Sequence, residues 1–310
     1  MLHASDVRPQ IALCANAAMA MALSVTVRSI VRRRSCPVDF HIAADGFSPS
    51  QKQRLLAAVD SESGNTVRFV DLEPFRSVLR EVGARETTYD RFLLGEALPE
   101  VSRVLYLDSD LLVRCDISEL WRLALASGML IQACEDPHPA VTPELMPMHA
   151  AQGIALGTTY YNAGVLGIDL EKWRSSAVLP ELIAFLKRYS GEIPFADQGT
   201  LNACLGQRVD RLPDVYNRFS LVATEDARIV HFCTFRKPFV RPRSLLRRQD
   251  WALARWQSEA ARSFHFREYF EVLDDTAYRG WRPRSLHAWL LKVTPGPWID
   301  RLRATRWQRT

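Results

Sequence analysis

No two of the six cysteines (Cys14, Cys36, Cys115, Cys134, Cys204, Cys233) are spaced as Cys-x-x-Cys. The scatter fits neither a zinc site nor a disulfide framework, and reduced, buried thiols in a cytoplasmic protein are the expectation. Glycine and proline are sparse, 14 and 17 of 310 residues, while 47% are hydrophobic. A disordered or fibrous chain is excluded, and a folded protein with a large core is expected. Neither internal repeats nor low-complexity tracts occur. The apolar run over residues 11–27 is broken by Asn16, Ser24 and Thr26, and falls short of the ~20 residues that span a bilayer. Its basic cluster, Arg28 to Arg34, follows the apolar part, whereas a signal peptide carries its charge in front. It reads as a buried strand, Ile11–Ala15, followed by an apolar helix reaching Arg33. No nucleic-acid reader motif is found, so nucleic acid is not an expected partner.

Residues 104–113 are Val-Leu-Tyr-Leu-Asp-Ser-Asp-Leu-Leu-Val. An apolar strand runs into Asp108 and Asp110, which point the same way if the segment is extended. Two close carboxylates repel unless a proton or cation lies between them, and hard oxygen ligands suit Mg²⁺ or Mn²⁺. A metal held so binds phosphate oxygens on its other side, which points to an enzyme acting on a phosphate or diphosphate. The pattern serves nucleotide-sugar transferases. It also serves phosphatases of the haloacid dehalogenase type, but Leu112 stands where those carry Thr or Val. A strand-end turn with two solvated carboxylates has the same spacing.

Apolar strand-like runs alternate with helical patterns through the first 240 residues. Strands are expected at Ile11–Ala15, Val38–Ala43, Thr66–Val70, Arg103–Leu107, Met129–Cys134, Ala163–Ile168 and Arg228–Phe232. Ser48-Pro49 opens a helix through Val59, and Thr88–Leu98 and Pro180–Tyr189 have helical apolar spacing. This predicts an α/β fold with a mostly parallel central sheet, whose ligands collect at strand carboxyl ends. Residues 136–148 carry four prolines and read as a loop. The chain changes character near residue 240. Residues 241–310 hold 15 Lys/Arg against 7 Asp/Glu and six of the eight tryptophans. The division expected is 1–240 and 241–310, with Arg236–Arg243 as boundary and a basic, Trp-rich, helical extension after it.

Four further segments frame a site. They are Thr87-Thr88-Tyr89-Asp90-Arg91 running on to Pro99 before the Asp-x-Asp strand, Asn162-Ala163-Gly164-Val165-Leu166-Gly167 running on to Trp173 after the Pro-rich loop, Phe195-Ala196-Asp197-Gln198-Gly199-Thr200-Leu201-Asn202 opening a helix, and His231-Phe232-Cys233-Thr234-Phe235-Arg236-Lys237-Pro238-Phe239 after the last strand. Together with the Asp-x-Asp they resemble, in order and spacing over roughly residues 10–240, the retaining glycosyltransferases of family 8, which include glycogenin and the bacterial lipooligosaccharide α-galactosyltransferases.

That resemblance implies a GT-A type nucleotide-sugar-binding fold and transfer of a hexose from a UDP-sugar with Mn²⁺. Asp108, Asp110 and His231 match the metal ligands; an imidazole beside carboxylates suits Mn²⁺ better than Mg²⁺. Lys237 matches a residue reaching the diphosphate as a point charge. Arg91, Ser109, Asn162 and Asn16 fall at donor-binding positions. Asp197 and Gln198 match sugar-lining residues, with Gln198 near the anomeric carbon, and Asp136 an acceptor-side carboxylate. On residue type alone, His231 reads as a core histidine, Lys237 and Arg91 as surface cations, and Asp197 as a helix N-terminal carboxylate. Two departures stand out. Asn16-Ala17-Ala18 replaces aspartates that touch the nucleotide, and Thr234 replaces the glycine of the His-x-x-Gly-x-x-Lys-Pro pattern.

The reaction implied is front-face attack, with the leaving phosphate taking the acceptor's proton, because Gln198 rather than a carboxylate occupies the nucleophile's place; a covalent step through Asp197 stays open. The acceptor expected is a glycan, a lipid-linked sugar or a small molecule. Residues 276–310 read as a segment lying on an anionic membrane surface, which places the enzyme in the cytoplasm, peripheral on the inner face of the membrane. The alternatives are a non-catalytic nucleotide-sugar-binding relative and a metal-dependent phosphohydrolase.

Overall fold

The computed structural model describes residues 8–137, 151–154, 157–189, 193–233, 237–240 and 263–282. The first half contains β1 (Gln10–Asn16), α1 (Ala20–Val31), β2 (Asp39–Asp45), α2 (Pro49–Val59), β3 (Thr66–Phe69), α3 (Ser77–Glu81), α4 (Leu94–Ala97), β4 (Arg103–Leu107), β5 (Leu111–Val113) and α5 (Ile117–Ala126). The second half adds β6 (Ile131–Glu135), β7 (Tyr161–Asp169), α6 (Leu170–Ser175), α7 (Val178–Arg188), α8 (Asp197–Leu205), β8 (Val209–Arg211), β9 (Arg218–Phe219), β10 (Ile229–His231) and α9 (Phe264–Asp274). Most of the Pro-rich loop, residues 138–148, lies outside the described residues, as do half of the boundary segment (236 and 241–243) and residues 244–262 and 283–310 of the extension.

Seven strands form the central sheet in the order β3-β2-β1-β4-β7-β6-β8. All its pairs are parallel except those of β7, which runs antiparallel to β4 and β6. Both faces are covered, and the side-chain period of two divides each central strand between two cores. Ile11, Leu13 and Ala15 of β1 join Leu105 and Leu107 of β4 under α1, α2 and α5. Ala12 and Cys14 join Val104 and Tyr106 on the other face, with Phe92, Trp173 and Leu182.

The polar interruptions of the first apolar run have a structural use. Ser24, Thr26 and Ser29 are buried on α1, and their hydroxyls bond backbone. Ser24 donates to Ala20 O at 2.8 Å, Thr26 to Ser109 O at 3.0 Å and Leu111 O at 2.9 Å, and Ser29 accepts from Val113 N at 3.0 Å. The α2 start carries the expected cap: Ser48 Oγ accepts from Gln51 N at 3.3 Å while Gln51 Oε1 accepts from Ser48 N at 2.9 Å.

Residues 88–98 depart from the expected single helix. They form a 3-10 helix, Thr87–Leu93, followed by the short α4. Asp90, Arg91, Phe92 and Leu93 are all buried, which a one-sided amphipathic α-helix cannot achieve. The cysteines differ in part too: all six are free, but Cys36, Cys204 and Cys233 are half-buried.

The last expected strand lies in a second sheet, β5-β10-β9. There His231 registers against Leu111, and Phe232 N donates to Asp110 O at 3.0 Å. This pairing brings residue 231 beside residues 108–110. The described part of the extension, α9, packs on α1 and β10 through Phe266, Tyr269 and Phe270 in a core with Ala22, Val25 and Phe232. Among the described residues no helix is long and apolar enough to cross a membrane.

Candidate functional site

The carboxyl end of β4 turns at Asp108-Ser109-Asp110 into β5. Three contacts fix this turn: the Thr26 hydroxyl accepts from Leu111 N at 3.1 Å and donates to the Ser109 carbonyl, and Asp108 N donates to Gly164 O at 2.9 Å. Asp110, Ser109 and His231 are buried. His231 Nε2 lies 3.3 Å from Asp110 Oδ1 and 3.7 Å from Asp108 Oδ2. One ligand atom from each of the three residues falls within 4.8 Å of the others, a spacing and donor set that fit a divalent cation. Gly164 makes room for the imidazole: a Cβ there would lie 2.3 Å from His231 Cε1.

Cations surround the carboxylates. Lys237 Nζ bonds Asp110 Oδ2. Burial alone raises the Asp110 carboxyl, but Lys237 and His231 outweigh it and hold Asp110 well below the usual carboxylate range. Arg91 is not a surface cation: it is 5% exposed, with Nη2 at 2.9 Å from Asp108 Oδ1 and Nε at 3.0 Å from Asp197 Oδ2. Its guanidinium also stacks 4.3 Å from the centroid of Tyr106, whose hydroxyl donates to Asp108 Oδ1 at 2.9 Å. Burial works against the Arg91 charge, yet Asp108 and Asp197 hold its pKa above the ordinary value.

Behind the Asp108, Asp110 and His231 cluster lies a buried polar set. Asn162 Nδ2 donates to Asp136 Oδ2 and to Gln198 Oε1, both at 3.0 Å, and Gln198 Nε2 donates to Asp136 Oδ2 at 3.0 Å. Gln198 Oε1 also accepts from Ala163 N at 3.2 Å. Asp197 opens α8 and accepts from the Thr88 hydroxyl; burial raises its carboxyl despite Arg91 and Thr88. The chain reaches Asp197 through Phe195 and Ala196, both non-glycine residues with positive φ, 57° and 51°. Such backbone is held only where its surroundings enforce it, and Asn202 supplies part of that hold, donating to Tyr161 O and Gln198 O at 2.8 Å.

The structure thus gathers Asp108, Asp110, His231, Lys237 and Arg91 into one cluster, with Asp197 joined to it through Arg91, and Asn162, Asp136 and Gln198 into another beside it. Asn16 stands apart, exposed at the end of β1, with its Nδ2 3.4 Å from Thr87 Oγ1. It lines a groove of about 210 Å³ that ends at Asp108, Ser109 and Asp110. A larger cavity of about 490 Å³ adjoins it at Thr87 and is lined by Asp45, Arg76 and Asp90. Sequence reasoning gave no separate role to Thr26, Tyr106, Gly164 and Asn202, although the last two lie within the segments that frame the site. Only Thr26 and Gly164 left a signal, a hydroxyl in an apolar run and a glycine in a strand.

The sequence profile described as glycosyl transferase family 8 matches residues 10–241. A putative glycosyltransferase of Haemophilus influenzae is 25% identical over 210 residues, which are 66% of this chain and 60% of that one. The lipopolysaccharide 1,2-glucosyltransferase of Escherichia coli is 26% identical over 209 residues, with the same coverage of 66% and 60%. The chain thus spans less than two thirds of the length of these relatives. Among solved structures, the galactosyltransferase LgtC in complex with donor and acceptor sugar analogues superposes with a TM-score of 0.67 at 23% identity, covering 86% of this chain and 96% of that one. That likeness shows the GT-A fold.

Proposed function

The chain belongs to glycosyl transferase family 8, a glycosyltransferase by membership, and on that premise we propose that it transfers a hexose from a UDP-sugar, with retention of configuration, to a glycan, lipid-linked or small-molecule acceptor. The observation that carries the reading is the convergence of Asp108, Asp110 and His231 at the end of the groove. Their two oxygens and one nitrogen fit Mn²⁺, with Mg²⁺ second. An ion held by them supplies positive charge to the departing diphosphate.

Charge explains why such an ion is needed. Among the described residues, Asp108, Asp110, Asp136 and Asp197 outnumber Arg91 and Lys237, so this part of the site is net negative before any diphosphate arrives. A further anion is repelled unless a cation enters with it or ahead of it. Lys237 then exchanges Asp110 for a phosphate oxygen, as a mobile point charge can.

The polar set bears on the route. Gln198 Oε1 already accepts two hydrogen bonds, from Asn162 and from Ala163 N, and Asp197 is tied by Thr88 and Arg91. Neither is an available nucleophile, which favours front-face attack with the leaving phosphate accepting the proton. Asp136, joined to Gln198 and Asn162, orients an acceptor hydroxyl. The division into residues 1–240 and a basic extension, 241–310, is part of the same proposal. So are a cytoplasmic, inner-face location and docking of the extension on anionic lipid, favoured by the resemblance to a lipopolysaccharide glucosyltransferase.

The test is release of UDP from a panel of UDP-sugars with Mn²⁺, with the product's anomeric configuration read by NMR. Turnover lost in Asp110→Asn and an α-linked product from an α-donor are expected. Binding without turnover across a broad acceptor panel marks a non-catalytic relative; Mn²⁺-dependent hydrolysis of a simple phosphate ester, with UDP-sugars inert, marks a hydrolase.

A further inference from the structure

Asn217 is buried in the turn that precedes β9 and touches both halves of the site. Its Oδ1 lies 3.0 Å from His231 Nδ1, and its Nδ2 donates to Asn162 Oδ1 at 2.8 Å. Both contacts are buried. We propose that Asn217 is a positioning residue: it fixes the imidazole tautomer of His231 and ties the metal ligands to the sugar-lining amides. This rests on the metal site described above.

The direction of every bond in the chain follows from its ends. Asp136 offers only acceptors, so Gln198 Nε2 and Asn162 Nδ2 must face it. Gln198 Oε1 is fixed again by the Ala163 N–H, and Asn162 Oδ1 by the Gly164 N–H at 2.9 Å. With its oxygen facing the Gly164 amide, Asn162 can only accept from Asn217, whose amide nitrogen therefore faces it. That leaves Asn217 Oδ1 facing the imidazole, so Nδ1 carries the proton and donates. In the neutral ring Nε2 is then the lone-pair nitrogen, and it is the one turned to Asp108 and Asp110, where it can donate as an imidazolium or ligate a metal once that proton is lost. Phe219 braces the ring edge-on, with centroids 5.8 Å apart. A partner that fixes the tautomer of a ligating histidine in this way typically changes metal affinity about 10- to 100-fold when removed.

The experiment uses the full chain, with histidines ¹⁵N-labelled, as wild type, Asn217→Ala and Asn217→Asp. Tautomer state is read by NMR on metal-free protein, at the pH along a titration where the His231 ring has become neutral, and Mn²⁺ affinity by calorimetry, with circular dichroism and melting temperature as checks of folding. In wild type the His231 signals should report Nδ1–H. Asn217→Ala should give a tautomer mixture and bind Mn²⁺ roughly 10- to 100-fold more weakly. Asn217→Asp keeps an acceptor for Nδ1–H but loses the donor to Asn162. It should restore Mn²⁺ affinity to within a few-fold while donor KM and kcat stay impaired, a split that a merely structural role would not produce. Unchanged tautomer and Mn²⁺ affinity in Asn217→Ala would overturn the proposal. Failure of the metal-site reading looks different: wild type and Asp110→Asn would then bind Mn²⁺ equally, while the metal-free tautomer measurement still decides the role of Asn217.

Discussion

Replacing Gly164 with alanine places a single methyl group against the metal site. A Cβ there would lie 2.3 Å from His231 Cε1 and 2.7 Å from its Nδ1, well inside the ~3.5 Å of an ordinary carbon contact. The strand cannot retreat, because Gly164 O accepts from Asp108 N and Gly164 N donates to Asn162 Oδ1, both at 2.9 Å. The imidazole must therefore swing away from Asp108 and Asp110. Overpacking of this kind costs about 1–3 kcal/mol, which in a chain of this size lowers Tm by roughly 2–6 °C. Displacing a ligand should weaken Mn²⁺ binding by at least the ~10–100-fold that follows disturbance of a ligand's support. The control is Gly95→Ala, whose Cβ would meet Trp173 Cδ1 at 2.5 Å in the core around α4 and α6. It should lose comparable stability and keep its Mn²⁺ affinity. Calorimetric titration and thermal melts of both variants decide the matter. A Gly164→Ala protein that binds Mn²⁺ like wild type would refute the geometry.

Arg91→Met leaves Asp108 and Asp197 without their buried partner and should cost about 3–5 kcal/mol in urea denaturation; a loss under ~1 kcal/mol would mean that the ion pairs contribute little. Thr26→Val keeps the shape of the side chain but strands Leu111 N, so about 1–3 kcal/mol and part of the Mn²⁺ affinity should go together, and retained affinity would free the Asp-x-Asp turn from α1. His265 on α9 is buried, and burial, followed by Arg114, lowers its imidazole to about 4 from 6.5. The unfolded chain takes up that proton first, so its contribution is whole above about pH 6.5 and lost as pH falls toward 4, by up to roughly 3 kcal/mol. His265→Phe should flatten this part of the Tm–pH curve, and equal acid losses in both proteins would assign the slope to other groups.

The central sheet was legible because its strands are long enough to show a pattern: β1, β2 and β4 fall within a residue or two of the expected limits, since apolar runs buried on both faces mark them. The second sheet was less so. β5 and β9 are three and two residues long, too short for any period to register, and only the contact of β10 with β5 explains why a histidine so distant in sequence meets Asp108 and Asp110. The Asp108, Asp110 and His231 cluster was readable through type and spacing, but its environment was not. Arg91 gives no sign in sequence of being buried, and Asn217 and Asn202 are asparagines in polar segments whose use depends wholly on tertiary placement. Backbone strain at Phe195 and Ala196 is likewise invisible in a stretch without glycine at those positions.

The two ends of the groove are built on different principles, and this decides where donor choice resides. At the metal end, paired strands and buried polar contacts fix Asp108, Asp110 and His231, so whatever binds there must supply matching charge. At the other end Asn16 is exposed, its Oδ1 accepting from Ala18 N at 3.1 Å to cap the 3-10 turn Ala17–Met19. Ala17 and Ala18 add no hydrogen-bonding side chain, and an amide in place of a carboxylate adds no charge to a cluster already net negative. Directional partners for a proposed base or ribose would then have to come from Asn16 itself or from the adjoining cavity, where Asp45, Arg76 and Asp90 are already paired with one another. Each neutral hydrogen bond is worth about 0.5–1.5 kcal/mol net, so one bond gained or lost alters preference among nucleotides by roughly two- to tenfold. On the proposed function, the diphosphate and sugar should therefore dominate donor affinity, and Mn²⁺-dependent binding of UDP-, GDP- and TDP-sugars should differ by no more than about tenfold; a larger preference for one base would refute this division of the groove.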